Sequence, residues 1–509
     1  MRSLMLAASL LSLALAAVAS AATPAAMSHA PAAARSVRTA RPGSADARSA
    51  DAPAQAAPPD TNLAKLAGDW TGRLAVGPSA LHVVVHLARR GAGLAGTLDS
   101  PDQGATGLAI DTVTVDGREV RFELRAIHAV YQGVVAGDVS GIRGSWSQGP
   151  RTLALDFERL APLEQRRPQE PARPYPYDEQ EVVVESPAAG VRLAGTFTRP
   201  RSGGPFPAVL LIGGSGAQNR DEEVFGHRPF RVLADRLTRH GIAVLRLDDR
   251  GVGGSTGSLA LATLDDFAAD AAAAVRFLAA RPDVDRARIG LVGHSEGGLV
   301  APLAAAAGPG VGFVVLLAAP GVPGDSLLML QGAAILQVMG EPAEMIAWNR
   351  RLQRVMFEQV RTAPDSASLH RRLDQVIAVA LPSLPEADRG KVDAANLSGQ
   401  VGLMTTRWFR SFVTCDPAPA LRRLRCPVLA LIGGKDLQVP PRENLAAIGR
   451  ALAAGGNPDW RALELPGLNH LFQTAPSGSP AEYGTIEETF APAALDTITT
   501  WIEARTGKR

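Results

Sequence analysis

Along residues 63–160, apolar and polar positions alternate with a period of two. In LHVVVHLAR, Leu81, Val83, Val85 and Leu87 alternate with His82, Val84, His86 and Ala88, the pattern of a half-buried strand. In TVTVDGREVRFEL, the pair Asp116-Gly117 separates two alternating runs, a strong short-range hairpin signal. Glycines punctuate the rest, with Trp70 and Trp146 near the two ends. Roughly six to eight short antiparallel strands of this kind predict a small barrel or sandwich over residues 61–161.

Residues 162–180 are rich in Pro, Arg and Glu and read as a linker. Beyond them, over 181–509, the period alternates between strand and helix. AVLLIGG, AVLRLDD, RIGLVGHS, FVVLLAA and PVLALIGG are apolar strands, and helical stretches lie between them. Thr263 and Asp266 resemble a capping box, after which Phe267, Ala271, Val275 and Leu278 fall at helical spacing. Apolar strands alternating with helices predict an α/β fold, a doubly wound and mostly parallel sheet covered on both faces.

One connection is too long for a simple crossover. Between Ala319 and Pro427 lie roughly a hundred residues, where about a dozen suffice. Helical stretches broken by prolines make this an inserted helical cap at about 322–415. Met329, Met339, Met345, Met356 and Met404 all lie in the insertion. They suit either an adaptable apolar binding surface or gap filling between irregularly packed helices.

The N-terminus changes the picture of where the protein works. Arg2, an apolar run from Leu4 to Val18 and small residues Ala19-Ser20-Ala21 follow the order of a secretory signal peptide, over residues 1–21. Residues 22–60, mostly Ala, Pro, Ser and Arg, read as a disordered tether. An exported protein, periplasmic or extracellular, without a membrane span is therefore expected. The net charge of +2 and the lack of a basic run give no footprint for nucleic acid. Two cysteines, Cys415 and Cys426, exclude a disulfide scaffold and multi-cysteine metal sites. They are either joined or free. His82 and His86 share a strand face without a third ligand, so no metal is expected.

The candidate chemistry centres on GLVGHSEGGLVAPL. Gly293-His294-Ser295-Glu296-Gly297 fits G-x-S-x-G, with a strand before it and a helix after it. A strand turning at once into a helix strains the serine and raises its hydroxyl above the sheet. Side chains at Gly293 and Gly297 would collide with such a turn, and Gly298 allows close helix packing. Ser295 is thus the candidate nucleophile, and it requires a base. ALELPGLNHLFQ supplies His470 on a loop after a late strand, and PVLALIGGKDLQVP ends a strand with Asp436. The order Ser295, Asp436, His470 is the one this fold uses. Oxyanion donors are expected from the backbone N–H of Glu296 and from Gly214, with Ser215 the neighbouring candidate. His294 is expected to pack rather than transfer protons, and the Glu296 side chain to be incidental. The run Gly213-Gly214-Ser215-Gly216 lacks the G-K-[ST] of a phosphate loop, which argues against nucleotide binding.

LLIGGSGAQNRDE, RLDDRGVGGSTG, GLVGHSEGGLVAPL, LALIGGKDLQVP and LPGLNHLFQ together resemble the α/β-hydrolase superfamily. Within it they resemble bacterial carboxylesterases related to the serine aminopeptidase-like hydrolases. The resemblance implies ester hydrolysis by Ser295, Asp436 and His470 under a helical cap, without cofactor. It also implies structural roles for Asp248 and Arg250. GDWTGRL, GTLDSPDQGA and GSWSQG look like the lipocalin-like β-domain that precedes such hydrolases. The expected substrate is a small ester with an apolar acyl group. Two alternatives stand beside it. One is an aminopeptidase or amide hydrolase using the same three residues, with Glu341, Glu344 and Glu358 as an acidic patch. The other is an envelope binding protein with a vestigial hydrolase domain.

Overall fold

The computed structural model describes residues 65–507, apart from 77–78, 91–92, 101–104, 128, 149–150, 161–165, 309 and 385–399. The leader and tether expected over 1–60 lie outside the described residues. The chain divides into two compact units, one ending at Leu163 and the other running from Glu164 to Arg509.

The first unit is a single curled antiparallel sheet. Its strands are β1 (Gly68–Val76), β2 (Ser79–Arg90), β3 (Gly93–Ser100), β4 (Ala105–Ile110), β5 (Thr112–Asp116), β6 (Glu119–Leu124), β7 (Ala129–Val135), β8 (Gly141–Gln148), β9 (Arg151–Ala154) and β10 (Phe157–Arg159). They run in the order β4-β3-β2-β1-β10-β8-β7-β6-β5, with β9 on β8. The two end strands are consecutive in the chain and separated only by Asp111, so the sheet curls into a nearly closed barrel. Trp70, Val85, Phe122, Tyr131 and Phe157 fill its interior, one face of the alternation. The described residues form ten strands, more than the six to eight expected, and β4 and β5 are separate strands on either side of Asp111. The hairpin is shifted by one residue. Asp116 pairs with Glu119, and the tight turn is Gly117-Arg118, with Gly117 at φ +60°.

His86 sits between two carboxylates of this unit, 2.7 Å from Asp69 and 3.0 Å from Asp99. Its partners are therefore acids, while the side chain of His82 lies outside the described residues.

In the second unit, β11 (Asp178–Glu185) and β12 (Arg192–Arg199) form an antiparallel hairpin. After them come β13 (Phe206–Ile212), β14 (Ala243–Leu247), β15 (Val284–His294), β16 (Phe313–Leu317), β17 (Val428–Gly433) and β18 (Trp460–Leu465). The order is β11-β12-β14-β13-β15-β16-β17-β18, antiparallel up to the β12–β14 pair and parallel beyond it. This mostly parallel sheet is covered on both faces. α2 (Leu264–Ala279) and α3 (Gly297–Ala307) lie on one side, with α9 (Pro441–Ala454). α1 (Pro229–Arg239) and α10 (Pro492–Thr506) lie on the other. Successive residues of β15 feed opposite cores, Leu291 one and Val292 the other. The capping box forms: Thr263 Oγ1 accepts from Asp266 N–H, and Asp266 accepts from Thr263 N–H.

Between β16 and β17 the insertion folds as α4 (Gly324–Val338), α5 (Ala343–Thr362), α6 (Ser366–Ala380), α7 (Arg407–Thr414) and α8 (Ala418–Arg423). Met345, Met356 and Met404 are fully buried among these helices, which decides for gap filling at those three positions. Cys415 and Cys426 are free thiols, half-buried, and burial raises both. The expected linker is not loose over 166–177. Arg167 donates to the carbonyls of Phe225, Gly484 and Ile486, Gln169 accepts from the N–H of Thr489 and Phe490, and Tyr177 donates to Asp235. Long polar side chains supply the donors that a proline-rich backbone lacks. No helix among the described residues is long and apolar enough to cross a membrane.

The hydrogen bonds from Asp99 and Asp69 raise His86 to about 9, against the opposing effect of burial. The folded pKa lies above the unfolded value, so this interaction contributes stability fully below about pH 6.5 and loses it as pH rises through 9. An NMR titration of histidine-labelled protein is expected to show one imidazole titrating near 9. Asp99→Asn should bring that resonance down toward 6.5. A His86 that titrates near 6.5 in the unmutated chain would refute the assignment.

Candidate active site

The serine turn is built where three adjacent strands end. β15 stops at His294, and Ser295 adopts φ +51°, a left-handed conformation that costs a non-glycine residue about 1–3 kcal/mol. Its N–H donates to Leu317 O at 2.8 Å, which fixes it to the neighbouring strand β16. The surrounding glycines are required by contact. A Cβ at Gly293 would overlap the Gly297 carbonyl, one at Gly297 would overlap Ile212 O at the end of β13, and one at Gly298 would strike Ala319. α3 then starts at Gly297, with Glu296 as its N-cap residue, so the first free N–H groups of the helix face the serine.

Asp436 follows β17 and His470 follows β18. Both are buried, and His470 Nδ1 lies 2.8 Å from Asp436 Oδ2. Asp436 Oδ1 accepts the N–H groups of Gln438 and Val439 at 2.9 and 2.8 Å, which locks the carboxyl plane. Ser295 and His470 line one cavity with Ser215, Gln438 and Tyr483. Among the described residues the serine hydroxyl makes no hydrogen bond to His470, a contact that in unliganded sites often tightens only with substrate.

Gly214 does not serve as expected. Its N–H donates to Glu222 Oε1 at 2.7 Å, so it is already spent on a buried carboxylate. The next residue, Ser215, lines the two cavities that Ser295 also lines.

Glu222 was not singled out by the sequence, and it organises much of the site. It is buried and held at φ +52°, and the same Oε1 lies 2.8 Å from His294 Nδ1. His294 Nε2 donates to the carbonyl of His470 at 3.0 Å, and the two imidazole rings lie 4.9 Å apart. A carbonyl only accepts, so Nε2 carries hydrogen. Burial disfavours the imidazolium, but the Glu222 carboxylate overrides it and raises the pKa of His294. One ion pair therefore joins the glycine-rich loop, the nucleophile strand and the His470 loop. A faint signal was present: an acid in GSGAQNRDEE, close after the glycine run.

The Glu296 side chain is not incidental either. It is buried and accepts the indole N–H of Trp408, on α7, at 2.7 Å. Burial pushes its carboxyl up to about 7. Burial also holds Asp249 well above the usual carboxylate range, with Glu296 and Glu222 nearby adding to the effect. Asp248 and Arg250 are structural. Asp248 accepts from Arg220 and from Gly254 N–H, and Arg250 pairs with Asp270 at 2.6 Å.

Glu222→Gln weakens the tie among three loops that set reacting geometry. Turnover of any substrate of this site is expected to fall by about 10- to 100-fold with little change in KM, since displacements near 1 Å cost that much. His294→Gln should do the same, and the double variant should be no worse than either single one. Additive losses in steady-state kinetics would show that the pair does not act as a unit.

Residues 228–473 match the family described as serine aminopeptidase, S33. The chain is similar to Esterase EstD of Thermotoga maritima, 25% identical over 375 residues that cover 72% of this chain and 77% of that protein. It is also similar to an uncharacterized protein of Mycobacterium tuberculosis, 40% identical over 123 residues, 24% of this chain and 39% of that one. Among solved structures, the Pyrococcus furiosus esterase Pf2001 superposes with a TM-score of 0.40 at 16% identity, over 65% of this chain and 92% of that one. That likeness is too distant to carry functional weight. The strand order and the serine turn give this chain an α/β-hydrolase fold, similar over residues 228–473 to the serine aminopeptidase family.

Proposed function

We propose that the protein hydrolyses small carboxylic esters through an acyl-enzyme, with Ser295 as nucleophile, His470 as base and Asp436 as the residue that orients it. The observation that carries this reading is the strained Ser295 opening into the same cavity as His470, whose other ring nitrogen is held by buried Asp436 at 2.8 Å. Ser295 Oγ attacks the ester carbonyl while His470 Nε2 takes its proton. The oxyanion is bound by the N–H groups of Glu296 and Ser215. The proton then passes to the departing alkoxide, and water repeats the sequence to release the acid. Asp436 holds the tautomer in which Nε2 is free to accept, and it stabilises the imidazolium that forms. Burial raises the carboxyls of Glu296 and Asp249, which disfavours negative charge close to the developing oxyanion.

The name of the Thermotoga maritima relative supports ester cleavage, and the family name supports an amide as the second reading. Capture of a free substrate amine calls for an unengaged acid in the site. Glu222 and Glu296 are engaged by His294 and Trp408, and Glu358 is paired with Arg361 on the exposed face of α5. This favours the ester. The leader-like residues 1–21 support export.

Purified protein is expected to hydrolyse p-nitrophenyl butyrate and to be labelled at Ser295 by a fluorophosphonate. Ser295→Ala should lose at least about 10³-fold in kcat while keeping its circular dichroism spectrum. Turnover of an aminoacyl p-nitroanilide without turnover of the ester would select the amide reading. A wild-type chain that neither turns over nor takes the label would select a vestigial hydrolase in a binding protein. N-terminal sequencing of protein secreted by its host should begin at Ala22.

A further inference from the structure

Two cavities meet at Ser295. One contains His470, together with Gln218, His294, Gln438 and Tyr483, and Val224, Phe225 and Leu471 also line it. The other, which His470 does not line, is walled by Pro320, Leu327, Leu328, Trp408, Phe412 and Val439. In the reaction proposed above, His470 must deliver its proton to the leaving oxygen, so the alcohol occupies the cavity that His470 lines. The acyl chain is then directed into the apolar one. This assignment rests on the ester reading.

The far wall of the apolar cavity belongs to α7. Thr406 caps that helix by accepting from Phe409 N–H at 3.1 Å, and Phe409 packs against Phe357 of α5 with ring centroids 6.2 Å apart. On its other side Trp408 stacks on Phe412, centroids 5.8 Å apart, and its indole donates to the Glu296 carboxyl at 2.7 Å. The ring that closes the cavity is thus fastened to the residue directly after the nucleophile. A buried indole N–H without an acceptor is costly, so losing the carboxyl frees Trp408 to leave its position.

We propose that Trp408 determines acyl-chain length and that Glu296 is the positioning residue that holds it there. The cap and the nucleophile turn are coupled through this one hydrogen bond. The closed wall favours acetyl and butyryl esters over longer chains, and opening it admits them.

The test is the ratio of kcat/KM for p-nitrophenyl octanoate to that for the acetate. Glu296→Ala and Trp408→Ala are each expected to raise this ratio by at least about fivefold, mainly through a lower KM for the octanoate, a modest share of what added methylenes are worth in an apolar pocket. The double variant should gain no more than either single one. Glu296→Gln, whose amide oxygen still accepts from the indole, should keep the wild-type ratio within about twofold. Discrimination between methyl and glyceryl butyrate should not move in any of these, because the alcohol lies in the other cavity. If Glu296→Ala does not fold, Trp408→Phe, which lacks the N–H, is expected to raise the ratio in its place. Unchanged acyl ratios in active Trp408 and Glu296 variants would overturn the proposal and leave the ester reading intact. Failure of the wild type to hydrolyse any ester overturns both.

Discussion

The site depends on one backbone geometry, the left-handed conformation of Ser295 at the end of the central strand β15. That conformation carries a strain of about 1–3 kcal/mol. It persists because its surroundings leave no alternative. The Ser295 N–H is held by Leu317 on β16, and the turn lies so close to Ile212 and Ala319 that only glycine fits at Gly297 and Gly298. The glycines are therefore a consequence of three strand ends converging on one point. The same convergence starts α3 directly behind the serine.

The second constraint is charge. Glu222, Glu296 and Asp436 are buried close to Ser295 and half-buried Asp249 stands near them, a density of carboxyls that would repel any developing anion if all were ionised. The fold manages each differently. Glu222 faces His294, whose charged form it stabilises, and Asp436 faces His470. Glu296 and Asp249 are pushed toward their neutral forms by burial. The two histidine-bonded acids also do mechanical work: Glu222 ties the glycine-rich loop to the His470 loop through His294, and Asp436 fixes the imidazole. Electrostatics and geometry are served by the same contacts.

The sequence and the structure part company in instructive places. Periods of two and 3.6 are local, so the strands, the capping box at Thr263 and the strand–serine–helix context were legible from residue order. The break between β4 and β5 was not, because nothing in an alternating run marks one as short as a single residue. Residues 166–177 have the composition of a linker yet are pinned by Arg167, Gln169 and Tyr177 to partners as many as about three hundred residues away.

The amino-acid sequence by itself determined the nucleophile turn, since a motif whose glycines are dictated by steric contact reports its own geometry. It also determined the order in which Ser295, Asp436 and His470 follow their strands, because parallel strands alternating with helices bring their C-terminal ends to one edge. Only the tertiary structure decided how the groups around them are spent. Gly214 gives its N–H to Glu222, His294 holds the His470 carbonyl, and Glu296 reaches the cap at Trp408. Two of these join residues far apart in the chain, 176 positions for His294 and His470 and 112 for Trp408 and Glu296, and the first joins residues 8 positions apart on one loop. Which donor meets which acceptor is fixed only when the sheet, the cap and the loops pack together, and no local periodicity encodes that.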